Sequence, residues 1–346
     1  MGRLVDATPR KKALLCAGQL TVLLFTMTAI AVHHYAIAIG DFSMLIALTI
    51  ALAGASLLAG GALDYFLRIC IPDGARARRI ASMNIVTQIA LITGTGAAGF
   101  AASIMTIETA LIIPSLCAAT CAILCLLCLP DLRVGKSAEH KRTGWGAIHA
   151  VLYFQFPVLF SIACCGALVF SIGQVTNMLL PGLIAFFLKL GSINYSTIEA
   201  AWSIGAFSVS ACLAMMKKAL GGGIGCDLLI ISSMSVVLAL VPFAPAFSVL
   251  IAMHFALGAG FAFVRIRTET RFLEDCPVHL LGRFRANSMA LTSVAGLLIY
   301  CIPLIWSDAL ISSLYLSIAA VILVAAVILL AVSPSVLLTK SRASSK

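Results

Sequence analysis

The side chains able to do chemistry are few here, and most of them interrupt long apolar runs. His254 lies about eight residues into one run, which at 1.5 Å per residue puts it roughly 12 Å from the run's outer boundary. An ionisable ring at that depth in a bilayer is costly and reads first as a functional position. The competing reading is a neutral histidine hydrogen-bonded to a neighbouring helix. Gln155, Gln174 and Asn177 offer amides to a ligand or, equally well, to helix packing, and Pro157 among them is placed to kink a helix. Asp64 and Arg68 stand at i and i+4, the favourable order for a helical ion pair, which serves either structure or a gate. Asp6, followed by Arg10 and Lys11, reads as a solvated loop or as a charge cluster at a membrane surface.

Other constellations carry less. Gly94, Gly96 and Gly99 spell G-x-G-x-x-G, but no strand precedes them, so nucleotide binding gives way to close helix approach through small residues. His33 and His34 are adjacent and point about 100° apart on a helix, which argues against a shared metal. Cys117, Cys121, Cys125 and Cys128 form a helical stripe, read as a small-residue packing face in preference to a soft-metal or redox site. There is no carboxylate pair, metalloprotease motif, phosphate loop or nucleophile elbow. Neither an enzyme nor a bound cofactor or metal is expected.

The elements that position these residues follow from composition. Of 346 residues 62% are hydrophobic and only 10% charged, with a mean hydropathy of +1.10. A soluble domain has roughly 45–50% apolar and about 25% charged residues. No soluble core holds this much apolar surface, so the expectation is an all-α polytopic membrane protein. Twelve cysteines lie mostly within apolar runs and behave as small hydrophobes, so they indicate no redox compartment. The basic segment Met1 to Lys12 precedes a run too long for a signal-peptide core, and Asp6 occupies the position where myristoylation wants Ser or Thr.

A bilayer core about 30 Å thick needs roughly 20 apolar residues per helix. Ten stretches qualify: 13–37, 42–67, 80–103, 107–129, 147–173, 197–216, 225–244, 246–266, 285–306 and 309–333. Between the fifth and sixth, Pro181-Gly182 interrupts a segment that either continues the fifth span or lies at the interface. With the N-terminus in the cytoplasm and strict alternation, every basic residue except Lys189 faces inward, as the positive-inside rule requires. Both termini are then cytoplasmic. The net charge of +10 is explained by loops beside an anionic leaflet, without nucleic acid. A polar loop at 131–146 separates a bundle at 1–130 from one at 147–346. Pro72 precedes Arg78 by six residues, as Pro277 precedes Arg283, a faint six-helix repeat.

Gly2, Asp6, Arg10 and Lys11 resemble the signature loop between the second and third helices of the major facilitator superfamily, with Ala7 and Pro9 departing from its basic residue and Gly. Leu180-Pro181, Leu190-Gly191-Ser192, Tyr195 and the run Ala201 to Ala206 resemble the seventh and eighth helices of the branch of siderophore and drug exporters. Gly282 to Ala286 resembles that branch's eleventh-helix start. The exporter motif of the fifth helix is only echoed by Gly94 to Gly99, which lacks its Pro.

The resemblance implies a two-bundle carrier of about ten helices whose N-terminal bundle lacks its first two, through a start codon placed late or a truncated gene product. It implies secondary active transport, as proton-coupled efflux of a siderophore- or drug-like small molecule by alternating access, in a bacterial inner membrane and as a monomer. Asp6, Arg10 and Lys11, with Arg283, would latch the cytoplasmic side against the eleventh helix. Asp64 and Arg68 would lie near that gate. His254 would fall on the cavity-lining tenth helix, and Gln155, Gln174 and Asn177 on the seventh. The alternative is a non-transporting remnant or membrane partner protein.

Overall fold

The computed structural model describes residues 2–34, 41–104, 107–130, 156–216, 223–305 and 310–343, and every regular element among them is helical. The expected loop 131–146 and Gln155 lie outside the described residues, as do the side chains of His33 and His34. The helices are α1 (Gly2–Ala7), α2 (Lys11–His34), α3 (Asp41–Cys70), α4 (Asp73–Ile104), α5 (Ile107–Cys128) and α6 (Pro157–Gly182). They continue as α7 (Ser192–Met215), α8 (Ile224–Leu240), α9 (Phe247–Asp275), α10 (Leu281–Ile305) and α11 (Ile311–Ala343). Six described segments are long and apolar enough to cross a membrane: Pro157–Phe187, Ile193–Met215, Ile224–Phe243, Phe247–Asp275, Val278–Ile302 and Ile311–Val332.

One local reading needs correcting, and one left open is decided. Pro157 does not kink a helix; it stands at the first turn of α6, where a fixed φ suits helix initiation and the missing N–H costs nothing. At Pro181-Gly182 the segment continues the fifth span, the first of the two alternatives. The chain runs on through a π-helical turn, Leu183–Phe187, in which Leu188 N–H donates to the Leu183 carbonyl and Leu190 N–H to that of Ile184. The wider turn keeps the backbone groups that follow the proline paired.

The chain divides into two compact units. The first comprises Met1–Pro72, Thr93–Thr143 and Cys276–Asn287. Here α2 packs on α3 and α5. Gly18 lets α2 approach α3 so closely that a Cβ there would lie 3.0 Å from the Ala55 carbonyl oxygen and from Ala59 Cβ. Across α2 and α5 the Ser115 hydroxyl donates to that of Thr26 at 2.7 Å, a buried bond that satisfies both groups.

The second unit comprises Asp73–Ile92, Gly144–Asp275 and Ser288–Lys346. Its tightest contact is between α7 and α9. A Cβ on Gly205 would fall 2.1 Å from the Phe255 carbonyl oxygen, and one on Gly258 would fall 2.0 Å from that of Trp202. Each helix therefore seats its backbone against a glycine of the other, where no side chain fits. Phe261 extends this seam, meeting the Phe170 ring edge-on at 5.4 Å and the Trp202 ring at 5.6 Å. Asn84, buried on the first half of α4, donates its amide to the Ser210 hydroxyl at 2.7 Å.

Candidate functional site

Within the first unit, Asp6 lies in the last turn of the short helix α1 and its carboxylate meets the start of α10. The N–H of Gly282 donates to it at 2.7 Å and that of Arg283 at 3.2 Å, so the carboxylate occupies the positive, donor-rich end of a long helix. Tyr65 of α3 donates its hydroxyl at 2.8 Å, and the Arg283 guanidinium stands 3.4 Å away. Only 6% of the Asp6 side chain is exposed. Burial raises its pKa above the ordinary carboxylate value, against the opposing pull of Tyr65, the Gly282 N–H and Arg283.

Lys11 completes the cluster. Its ammonium donates to the Val5 carbonyl and, at 3.4 Å, to that of Asp6, capping carbonyls that α1 leaves unpaired at its C-terminus. It also lies 3.8 Å from the centre of the Tyr65 ring. Burial pulls its pKa down to about 8, although the Asp6 charge opposes the shift. Arg10, next in sequence, is exposed, and no hydrogen bond or ion pair among the described residues involves its side chain.

Asp64 has a partner that helical spacing does not supply. Arg285 of α10 grips it bidentately, at 2.5 and 2.8 Å, a geometry stronger than a single charged bond. Arg68 follows one turn later on α3. Cys276, buried between these groups, feels the charges of Asp6, Asp64, Arg285 and Arg68, and burial pushes its thiol pKa up. Asp6, Lys11, Asp64, Arg68 and Arg283 thus belong to one region, to which the structure adds Tyr65, Cys276 and Arg285.

The second unit holds the amide and imidazole candidates. His254 is 1% exposed. Its Nδ1 faces the Leu250 carbonyl at 2.9 Å and so carries the proton, which leaves Nε2 a bare acceptor, buried and without a partner among the described residues. Gln174 lies against Gly296 of α10, whose added Cβ would stand 3.8 Å from the amide carbon. Asn177 is exposed. Asp227, at the start of α8, is fully buried and receives Arg267 at 2.5 Å and Arg271 at 2.5 Å from α9. The helix N-terminus and two guanidiniums compensate its charge together.

No protein-family model and no curated protein matches the sequence. Solved structures do. The human organic anion transporter MFSD10 is similar at a TM-score of 0.74 and 13% identity over 95% of this chain and 80% of that one. A bacterial homologue of the iron transporter ferroportin, in an outward-facing state, gives 0.69 and 12% over 95% and 84%. The major facilitator transporter FucP, in its outward conformation, gives 0.65 and 13% over 95% and 84%. The chain has the major facilitator fold. With its apolar helices, that fold makes it an integral membrane protein.

In a major facilitator fold the charges missed by sequence reasoning are as instructive as those it found. Asp227 falls inside the stretch expected from 225 to 244 without being singled out, and Arg267, Arg271 and Arg285 were legible only as inward-facing cations. Glu199 lies inside the α7 span, three residues into the stretch expected from 197 to 216. The signal that finds it is simple: an acidic residue within a bilayer-length helix requires a partner or a purpose.

Proposed function

We propose that this chain is a secondary active transporter that works by alternating access, exporting a siderophore- or drug-like small molecule against an inward flow of protons. It would sit in a bacterial inner membrane as a monomer with cytoplasmic termini, its ten spans forming an N-terminal bundle at 1–130 and a C-terminal one at 147–346. The observation that carries the reading is the seat of Asp6 on the N–H groups of Gly282 and Arg283. A buried carboxylate that joins residues 276 positions apart through backbone donors is a contact that a conformational cycle can make and break. It stabilises the conformer in which it forms and biases the cycle by that amount.

The fold supports transport as the task, and the exporter-like motifs at 180–206 and 282–286 support efflux. One relative in fold is a fucose:proton symporter, which shows that the fold carries proton coupling in that protein. His254, with its bare Nε2, and Gln174 and Asn177 are the proposed pathway groups.

The test is side-specific labelling of single cysteines introduced on each face of the membrane. Asp6→Asn keeps the side-chain shape but loses the charge, so labelling shifts from one face to the other by about tenfold, as for one charged hydrogen bond. Unchanged labelling on both faces rules out the latch. Cells lacking the gene accumulate the substrate if export is correct and are depleted of it if the direction is import.

A further inference from the structure

The first half of α4 carries the least explained charges of the second unit. Arg76, Arg78 and Arg79 fall within two turns of Asp73, where α4 starts. That end of a helix is already positive, so a cation there adds to the local potential instead of balancing it. Arg78 and Arg79 are exposed, and among the described residues no hydrogen bond or ion pair involves either guanidinium. They stand directly before the stretch 80–103 read as a membrane span, which on that reading puts them at the level of the lipid headgroups.

Both arginines line a cavity of about 380 Å³, bounded by Ala75, Arg78, Arg79 and Ser82 of α4 and by Ala214 near the end of α7. The seam beside it is packed. Ala81 of α4, Leu213 of α7 and Ile266 of α9 form a buried apolar cluster, and one turn further along the Asn84 amide is tied to Ser210. The cavity is therefore set by how two helices meet. The Ser82 hydroxyl donates to the Arg78 carbonyl at 2.9 Å, which leaves the guanidiniums as the donors open to a guest. The carbonyl end of α7 is negative, so any attraction for an anion has to come from those two cations. Beside the cavity the surface turns apolar. Met83 and Val86, at i+4 and i+7 from Arg79, are exposed, as are Met215 and Met216 at the end of α7.

We propose that this cavity holds the phosphodiester of an anionic phospholipid, with Arg78 and Arg79 on the phosphate oxygens and the acyl chains along Met83, Val86 and Met215. A basic recess between membrane helices suits an anionic headgroup. The guanidinium fork matches two phosphate oxygens at once, which a lysine ammonium does not. A soluble phosphate ester would use the arginines but gain nothing from the apolar flank, whereas a lipid uses both. The proposal rests on residues 80–103 crossing the bilayer and is independent of the direction of transport. A headgroup seated there touches α4 and α7 together. Because it binds only where the two helices meet, it stabilises their contact.

The test uses the full-length protein and phosphatidylglycerol, with phosphatidylcholine as the uncharged reference. In detergent, native mass spectra are expected to show retained phosphatidylglycerol, and added phosphatidylglycerol raises the thermal unfolding midpoint where phosphatidylcholine does not. Arg78→Gln with Arg79→Gln weakens retention by about 25-fold, roughly fivefold for each cation beside an anionic lipid, and removes the rise in midpoint. Arg78→Lys with Arg79→Lys keeps the charges without the forks and weakens retention by a smaller factor, which keeps the test decisive if the first variant folds poorly. Lys340→Gln with Arg342→Gln removes the same charge from the same expected face and leaves retention unchanged. Wild-type retention in both Arg78 and Arg79 pairs overturns the site. An equal loss in the Lys340 and Arg342 pair overturns it as well, since that outcome reports a diffuse surface potential. Soluble glycerol 3-phosphate that raises the midpoint as far as phosphatidylglycerol overturns the lipid as occupant. Each failure leaves alternating access standing, because that reading is tested by Asp6→Asn with Arg78 and Arg79 intact.

Discussion

Asp227 and Glu199 are both carboxylates on bilayer-length helices of the same compact unit, and their surroundings are opposite. Asp227 is fully buried, sits at a helix N-terminus and holds two guanidiniums at 2.5 Å. Glu199 is only partly buried, and among the described residues no hydrogen bond or ion pair reaches it. The difference separates two uses of charge in a membrane protein. A carboxylate locked between arginines fixes the relation of α8 to α9 and has no freedom to titrate without leaving two cations stranded. A carboxylate without a counter-ion holds no helix to another.

The sharpest way to break this contrast is to make the same chemical change at both positions. Asp227→Asn strands Arg267 and Arg271 and is expected to cost about 3–5 kcal/mol, read as a lowered midpoint of thermal unfolding in detergent. A variant that also carries Arg267→Met recovers part of the loss. A smaller effect is expected from Gly258→Ala, which drives a methyl into the Trp202 carbonyl. An overpacked contact costs about 1–3 kcal/mol, and the same melt checks it.

Lys11 offers a control from the other unit, where a buried cation has a measurable titration. Its pKa falls from an ordinary 10.5 to about 8 in the folded chain. Its contribution to stability is therefore fully present above pH 10.5 and is lost as pH falls through about 8. Lys11→Met is expected to remove that rise in stability between pH 8 and 10.5, as read from unfolding midpoints at several pH values. The smallest expected effect closes the comparison. Glu199→Gln changes stability by less than about 0.5 kcal/mol, as for a side chain without partners. A loss as large as that of Asp227→Asn would mean that Glu199 is a structural group.

Hydropathy made the helices legible because it reports an average over many residues, and an average survives individual exceptions. The same averaging hid Glu199, whose one charge is diluted by the apolar residues of its span. The cluster around Asp6 was visible only because a local motif spells it. Its partner Arg285 was not, since nothing in an i, i+4 pattern says that Asp64 will be held from a helix 221 residues away. Pro157 and Pro181 show a related limit. A proline's effect depends on whether its missing N–H falls at a helix start or inside a turn, and spacing alone does not place that boundary to within a residue.

The reciprocal notches at Gly205 and Gly258 have a mechanical consequence. Two rods that each sit in a groove of the other cannot slip lengthwise by even one residue without colliding main chain with main chain. The pair is therefore held to move as a single strut. Any bending of this unit has to be found outside that strut, and the widened turn after Pro181 is a part of the same unit whose backbone already departs from regular α-helical winding.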